Sequence, residues 1–171
     1  MKADEDLVGI RGWLIFLAIN MIVTPFSLMY FTYSELAPIF AYDSSLGGSL
    51  WELATDPDSE FFIENFKLHI VSTLTLQSLL LMISSYAAVL FFTTKKDFLF
   101  WGKLKFLSIV ASHIIAFLLF LMILPASEYF TDDFGNFDNK FVRDIVREVA
   151  WSLIWFLYLI RSKRVQATFV N

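Results

Sequence analysis

The chain has 171 residues, 57% of them hydrophobic and 18% aromatic, with a mean hydropathy of +0.63 and a formal charge of -4. A water-soluble domain cannot hide that much apolar surface, so the composition points to an all-α polytopic membrane protein. With no cysteine, a disulfide framework, a thiolate nucleophile and a cysteine metal site are excluded, while the twenty phenylalanines suit helices that face lipid.

The leader carries Lys2, Asp4, Glu5, Asp6 and Arg11 ahead of the first long apolar run, residues 12–33. Its acidic residues and the lack of a small-x-small cleavage site argue for a retained span rather than a secretory signal. Pro25 inside this run removes a backbone donor and is expected to kink the helix. The segment that follows, residues 34–64, is long for a connection without structure of its own and is strongly acidic, holding Glu35, Asp43, Glu52, Asp56, Asp58, Glu60 and Glu64. Within it, Ser49 is placed to cap a short helix through Leu50, Trp51 and Leu53, whose apolar side would lie on the bilayer surface. Asp56 before Pro57 reads as a second helix start, so that span two would begin above the membrane.

Spans two and three are read at residues 66–92 and 104–124, each meeting the roughly 20 residues needed to cross a bilayer core. The fourth is less clean: the purely apolar stretch Val149 to Ile160 is too short and must be extended back to Phe141, giving residues 141–160. Basic residues set the direction. Lys2 and Arg11 precede span one, Lys95, Lys96, Lys103 and Lys105 lie between spans two and three, and Arg161, Lys163 and Arg164 follow span four. The other two loops are acidic, the second holding Glu128, Asp132, Asp133 and Asp138 against Lys140. Four spans with both termini cytoplasmic and a long acidic outer loop follow, and Trp13, Tyr30, Tyr33, Trp101 and Tyr158 fall near span ends as interfacial anchors.

At a rise of 1.5 Å per residue, Glu148 lies roughly 20 Å above the cytoplasmic boundary, with Arg147 beside it and Gln77 of span two at a similar height. Asn20, His113 and Ser152 form a second polar layer nearer the cytoplasm. Asp144 and Arg147 are spaced for an intrahelical ion pair, which leaves Glu148 to seek a donor on another helix, Gln77 being favoured by depth. A carboxylate there costs about 2.5–3.5 kcal/mol on insertion scales, so Glu148 either couples a proton or cation, with Arg147 tuning it, or snorkels or pins the helix packing. A single intramembrane histidine such as His113 more commonly makes an interhelical hydrogen bond, and His69 has no spacing that suggests a metal site. Arg161, Lys163 and Arg164 are expected to fix orientation and meet anionic headgroups.

Two terminal patterns stand out together: Gly9-Ile10-Arg11-Gly12-Trp13-Leu14, and Ser162-Lys163-Arg164-Val165-Gln166-Ala167-Thr168-Phe169. With four spans between them, the chain resembles the YdgK-like bacterial inner-membrane family catalogued as a domain of unknown function (DUF 2569). That family opens with Gly-x-Gly-Gly-Trp-Leu and closes near Ser-Lys-Arg-Val-Lys-Asn-Thr-Phe; here Arg11 stands for a glycine, and Gln166 and Ala167 replace the later polar pair. The resemblance implies a bacterial inner-membrane location and carries no activity with it.

No nucleophile elbow, phosphate-binding glycine loop, metal motif or paired catalytic carboxylates argue for an enzyme, and no cofactor is implied. The expected partners are the lipid bilayer, another membrane or envelope protein, or further copies of the chain, with nothing pointing to nucleic acid. An accessory, partner-binding role in the envelope is the favoured expectation. The alternative is a small-solute or ion- or proton-coupled transporter using Glu148 and Arg147.

Overall fold

A computed structural model describes residues 12–45, 47–123 and 131–169. The chain is mostly helical. In order it forms α1 (Trp13–Phe40), a hairpin of β1 (Tyr42–Asp43) and β2 (Gly48–Ser49), α2 (Leu50–Thr55), α3 (Phe66–Phe92), α4 (Phe98–Ile123), α5 (Thr131–Arg161) and α6 (Lys163–Phe169). Among the described residues, α1, α3 and the Phe98–Leu119 part of α4 are long and apolar enough to cross a membrane. Their lipid-compatible surface is plain from side chains such as Phe26, Ile22, Met82 and Leu118, all exposed. An apolar helix satisfies its own backbone groups, which is the condition for standing in hydrocarbon at all.

Span two, read at residues 66–92, coincides with α3. The first helix runs on to Phe40, past the expected end at residue 33, the Ser34 hydroxyl folding back to donate to the Phe31 carbonyl at 3.0 Å rather than breaking the helix. The third helix begins at Phe98, six residues before the expected start, and so takes Lys103 out of the loop and sets Lys105 two turns inside α4 rather than at the edge of the span. Asp56 does not start a helix. It caps the C-terminus of α2, its carboxylate accepts the Asp58 N–H at 3.1 Å, and the next helix waits until Phe66.

The outer segment is ordered by local hydrogen bonds. Asp43 pairs with Gly48 across the hairpin and its carboxylate accepts from both the backbone and the hydroxyl of Ser45. Ser49 then caps α2 as its position suggested: its hydroxyl accepts the Glu52 N–H at 3.3 Å while the Glu52 carboxylate accepts the Ser49 N–H at 3.1 Å. The Ser49 backbone N–H, and to a lesser degree the Ser49 hydroxyl, hold the Glu52 carboxyl below its ordinary value. The apolar side of α2 rests on protein. Trp51 packs on Phe40 of α1 and Phe66 of α3 with ring centroids 5.3 and 6.5 Å apart, and Ala54 is buried with Phe66 and Ile70. A membrane-surface placement of the apolar side was expected; the side chains instead close the end of the α1–α3 pair.

The long helices pack chiefly as consecutive neighbours, α1 on α3, α3 on α4 and α4 on α5. Gly102 sets the α4–α5 approach, since a Cβ there would stand 3.0 Å from the Phe98 ring and 3.1 Å from the Leu159 side chain. The main buried cluster gathers the start of α1 (Leu14, Leu17), the end of α3 (Phe91), the start of α4 (Phe98) and the end of α5 (Leu159). Successive long helices therefore run in opposite directions, with one common end. Phe169 of α6 inserts at that end, 4.5 Å from Phe98 and 5.3 Å from Phe91 between ring centroids.

Candidate functional site

Asn20, Met21 and Thr24 lie on successive positions and one turn apart on α1, so their side chains share a face. Lys105 of α4 reaches that face. Its ammonium donates to the Asn20 side-chain oxygen at 2.8 Å and to the Thr24 hydroxyl at 3.1 Å, with the Met21 sulfur at 3.5 Å and the Phe106 ring centroid at 4.9 Å. The Thr24 hydroxyl spends its own proton on the Asn20 carbonyl, 2.7 Å away, and so presents lone pairs to Lys105. The Lys105 side chain is fully buried. Among the described residues no carboxylate lies within ion-pairing distance of it. Lys105 and Asn20 each stand seven residues, roughly 10 Å, from the first residue of their helix, at the common end.

This is a lysine amine held by neutral oxygens in a sealed seam. Neither α1 nor α4 could leave the other without stripping the amine of its acceptors, and a buried, unsatisfied charge is among the costliest groups a protein can hold. The arrangement can fix the helices in register; it gives the amine no opening to a substrate. Sequence reasoning grouped Lys105 with the basic residues between spans two and three, at the very edge of the expected third span. The signal that would have found it is the apolar stretch Phe98-Leu99-Phe100-Trp101-Gly102, which continues into the third apolar run once two lysines are allowed inside the helix.

The other sequence candidates fall elsewhere. Asn20 bonds Lys105, and the polar layer it was expected to share with His113 and Ser152 is not formed by hydrogen bonds: His113 Nδ1 stands 2.8 Å from the Ile109 carbonyl of its own helix. That contact makes Nδ1 the protonated nitrogen and corrects the expected interhelical bond. Ser152 is buried. The Gln77 side-chain oxygen meets the Thr32 hydroxyl of α1 at 2.7 Å rather than Glu148. This pair lies in a groove of about 480 Å³ between α1 and α3, lined mainly by Met29, Tyr33, Leu36, Phe40 and Leu81. Glu148 lies 3.6 Å from Arg147, its neighbour in sequence, and the two side chains are 46% and 67% exposed. The Asp144 side chain lies outside the described residues. Arg161 ends α5, and Lys163 and Arg164 open α6.

Against this geometry, the comparison with known families gives one result. A family model described as "Protein of unknown function (DUF2569)" matches residues 7–170. The chain belongs to that family. The match takes in all four long helices and α6, so the Lys105 seam and the aromatic contacts of Phe169 are both parts of the family domain rather than additions to it. No significant match to a curated protein or to a solved structure was found.

Proposed function

We propose that this protein crosses the bacterial inner membrane four times with both termini in the cytoplasm, and serves as an accessory component that binds another membrane protein of the envelope. The orientation draws on the common end of the helices, where Lys95, Lys96, Arg161 and Lys163 are exposed, whereas the hairpin end carries Asp43, Glu52, Asp56 and Asp58. In this reading the C-terminal half of α5 is the fourth span, antiparallel to α4 and packed on it through Gly102 and Leu159.

The observation that carries the accessory role is the outward placement of Arg147 and Glu148. They lie fourteen and thirteen residues before the end of α5, roughly 20 Å along its axis, Arg147 on a face that also exposes Trp151 and Ile154 and Glu148 at its edge. Charged groups on the lipid-facing side of a span are expensive, and a polar group of a neighbouring protein's helix relieves that cost. The transport alternative would run a path through the same pair, and a pair on the outer surface of α5 lends it no support.

A photo-crosslinking side chain at Val146 should give one discrete adduct with a membrane protein, weakened when Arg147→Leu and Glu148→Leu are combined and absent when the probe sits at buried Leu159. An adduct of twice the chain's own mass would identify a second copy as the occupant. Glu148-dependent proton or cation flux by the purified protein in liposomes would overturn the accessory reading. Reporter fusions after Lys96 and after Asn171 should behave as cytoplasmic, and one near Ser45 as periplasmic; a periplasmic signal after Asn171 would remove the four-span topology.

A further inference from the structure

The seven residues of α6 are too few to hold a helix in isolation, so its form depends on what it docks against. Val165, Thr168 and Phe169 are buried, while Lys163 and Gln166 on the other side are exposed. The dock is aromatic. Phe169 closes a three-ring contact with Phe91 and Phe98, themselves 5.0 Å apart, and those two rings bracket the turn that carries Lys95 and Lys96. Leu159 against Gly102 holds the end of α5, and hence Arg161, beside the start of α4.

Residues remote in sequence thus reach one surface. Lys95, Lys96, Lys103, Arg161, Lys163 and Arg164 lie at this end, and among its described residues Asp97 is the one acid. The level of that surface is set by Trp13, Trp101 and Tyr158, whose rings belong at a membrane interface; the cations of the turn and of α6 follow one to two turns of chain beyond them. That is where headgroup phosphates stand.

We propose that α6 and the α3–α4 turn form one binding surface for the phosphate groups of anionic phospholipids in the inner leaflet. The aromatic dock is what makes it one surface: with Phe169 in place Lys163 acts together with Lys95 and Lys96, and with Phe169 withdrawn the cations of α6 are free to leave. The proposal rests on the cytoplasmic placement of this end, but its test does not.

The full-length protein in neutral detergent should gain about 4 °C or more in thermal midpoint on adding phosphatidylglycerol, and no comparable gain from phosphatidylcholine or inorganic phosphate. Lys95→Gln with Lys96→Gln, and separately Lys163→Gln, should each remove a large part of that gain while leaving the lipid-free midpoint unchanged, and raised salt should do the same. In a Phe169→Ala background, Lys163→Gln should have no further effect. If Phe169→Ala does not fold, the lysine variants decide alone. Equal responses to the two lipids, or lysine variants that respond as the parent, overturn the proposal. A response to inorganic phosphate matching that to phosphatidylglycerol also overturns it, since the site would then take free phosphate rather than a lipid surface.

Discussion

Replacing Lys105 separates packing from charge at the α1–α4 seam. Lys105→Ala deletes three buried methylene groups and the ammonium, and leaves the Asn20 side-chain oxygen without its 2.8 Å donor. Lys105→Met deletes the charge but keeps a chain of similar length. Large-to-small changes of this kind cost about 2–5 kcal/mol, so the alanine variant should be less stable than the methionine variant by at least about 2 kcal/mol. The methionine variant itself should fall within about 1–2 kcal/mol of the parent, because relief of a desolvated charge offsets the lost hydrogen bonds. For a chain of this size those differences correspond to about 2–4 °C per kcal/mol in a detergent melting experiment. In an Asn20→Leu background the cost of Lys105→Met should shrink, since the two share one interaction. An alanine variant within about 0.5 kcal/mol of the parent would refute the reasoning, because a solvated surface lysine is what behaves that way.

Gly102→Ala should lower stability by about 1–3 kcal/mol in the same melting assay, because its Cβ meets the Phe98 ring and Leu159 at 3.0 and 3.1 Å and one of them must move. Thr32→Val and Gln77→Leu should each cost about 1 kcal/mol, and the double variant should cost less than their sum. The Glu52 carboxyl is lowered by its two bonds from Ser49, so its contribution to the α2 cap is present above the ordinary carboxylate range and is lost as pH falls through the lowered value. Fluorescence of a variant retaining only Trp51 should therefore report loosening of α2 on acidification, and Glu52→Gln should flatten that acid transition.

The sequence makes some of this legible because the signal is local. The run from Phe66 to Phe92 is continuous and apolar, and α3 has those bounds; Ser49 and Glu52 stand in capping-box register, and both bonds form. What could not be read depends on contacts between distant residues. The start of α4 was obscured because a lysine looks like the end of a span unless its acceptors are known, and those of Lys105 come from α1, some eighty residues away. Two-residue strands carry no alternation to detect, so the hairpin at Tyr42–Asp43 and Gly48–Ser49 is visible only through its turn. The α6 segment looked like a basic tail because its apolar positions, Val165 and Phe169, acquire meaning only against Phe91 and Phe98.

Glu148 and Lys105 show why depth along a helix is a poor guide to which charge matters. By residue count Glu148 lies about twice as far from the common end as Lys105, and an insertion penalty assigned by depth alone singles it out. The packing reverses that order. Glu148 keeps nearly half its surface exposed, beside Arg147, and its energetic state is left to whatever lies against α5. Lys105, nearer the common end, has no exposed surface and takes its hydrogen-bond acceptors from Asn20 and Thr24. The cost of a charge is set by the atoms around it, so the shallower group holds the fold together. The deeper one faces outward beside Arg147 and contributes little to the packing of the described residues.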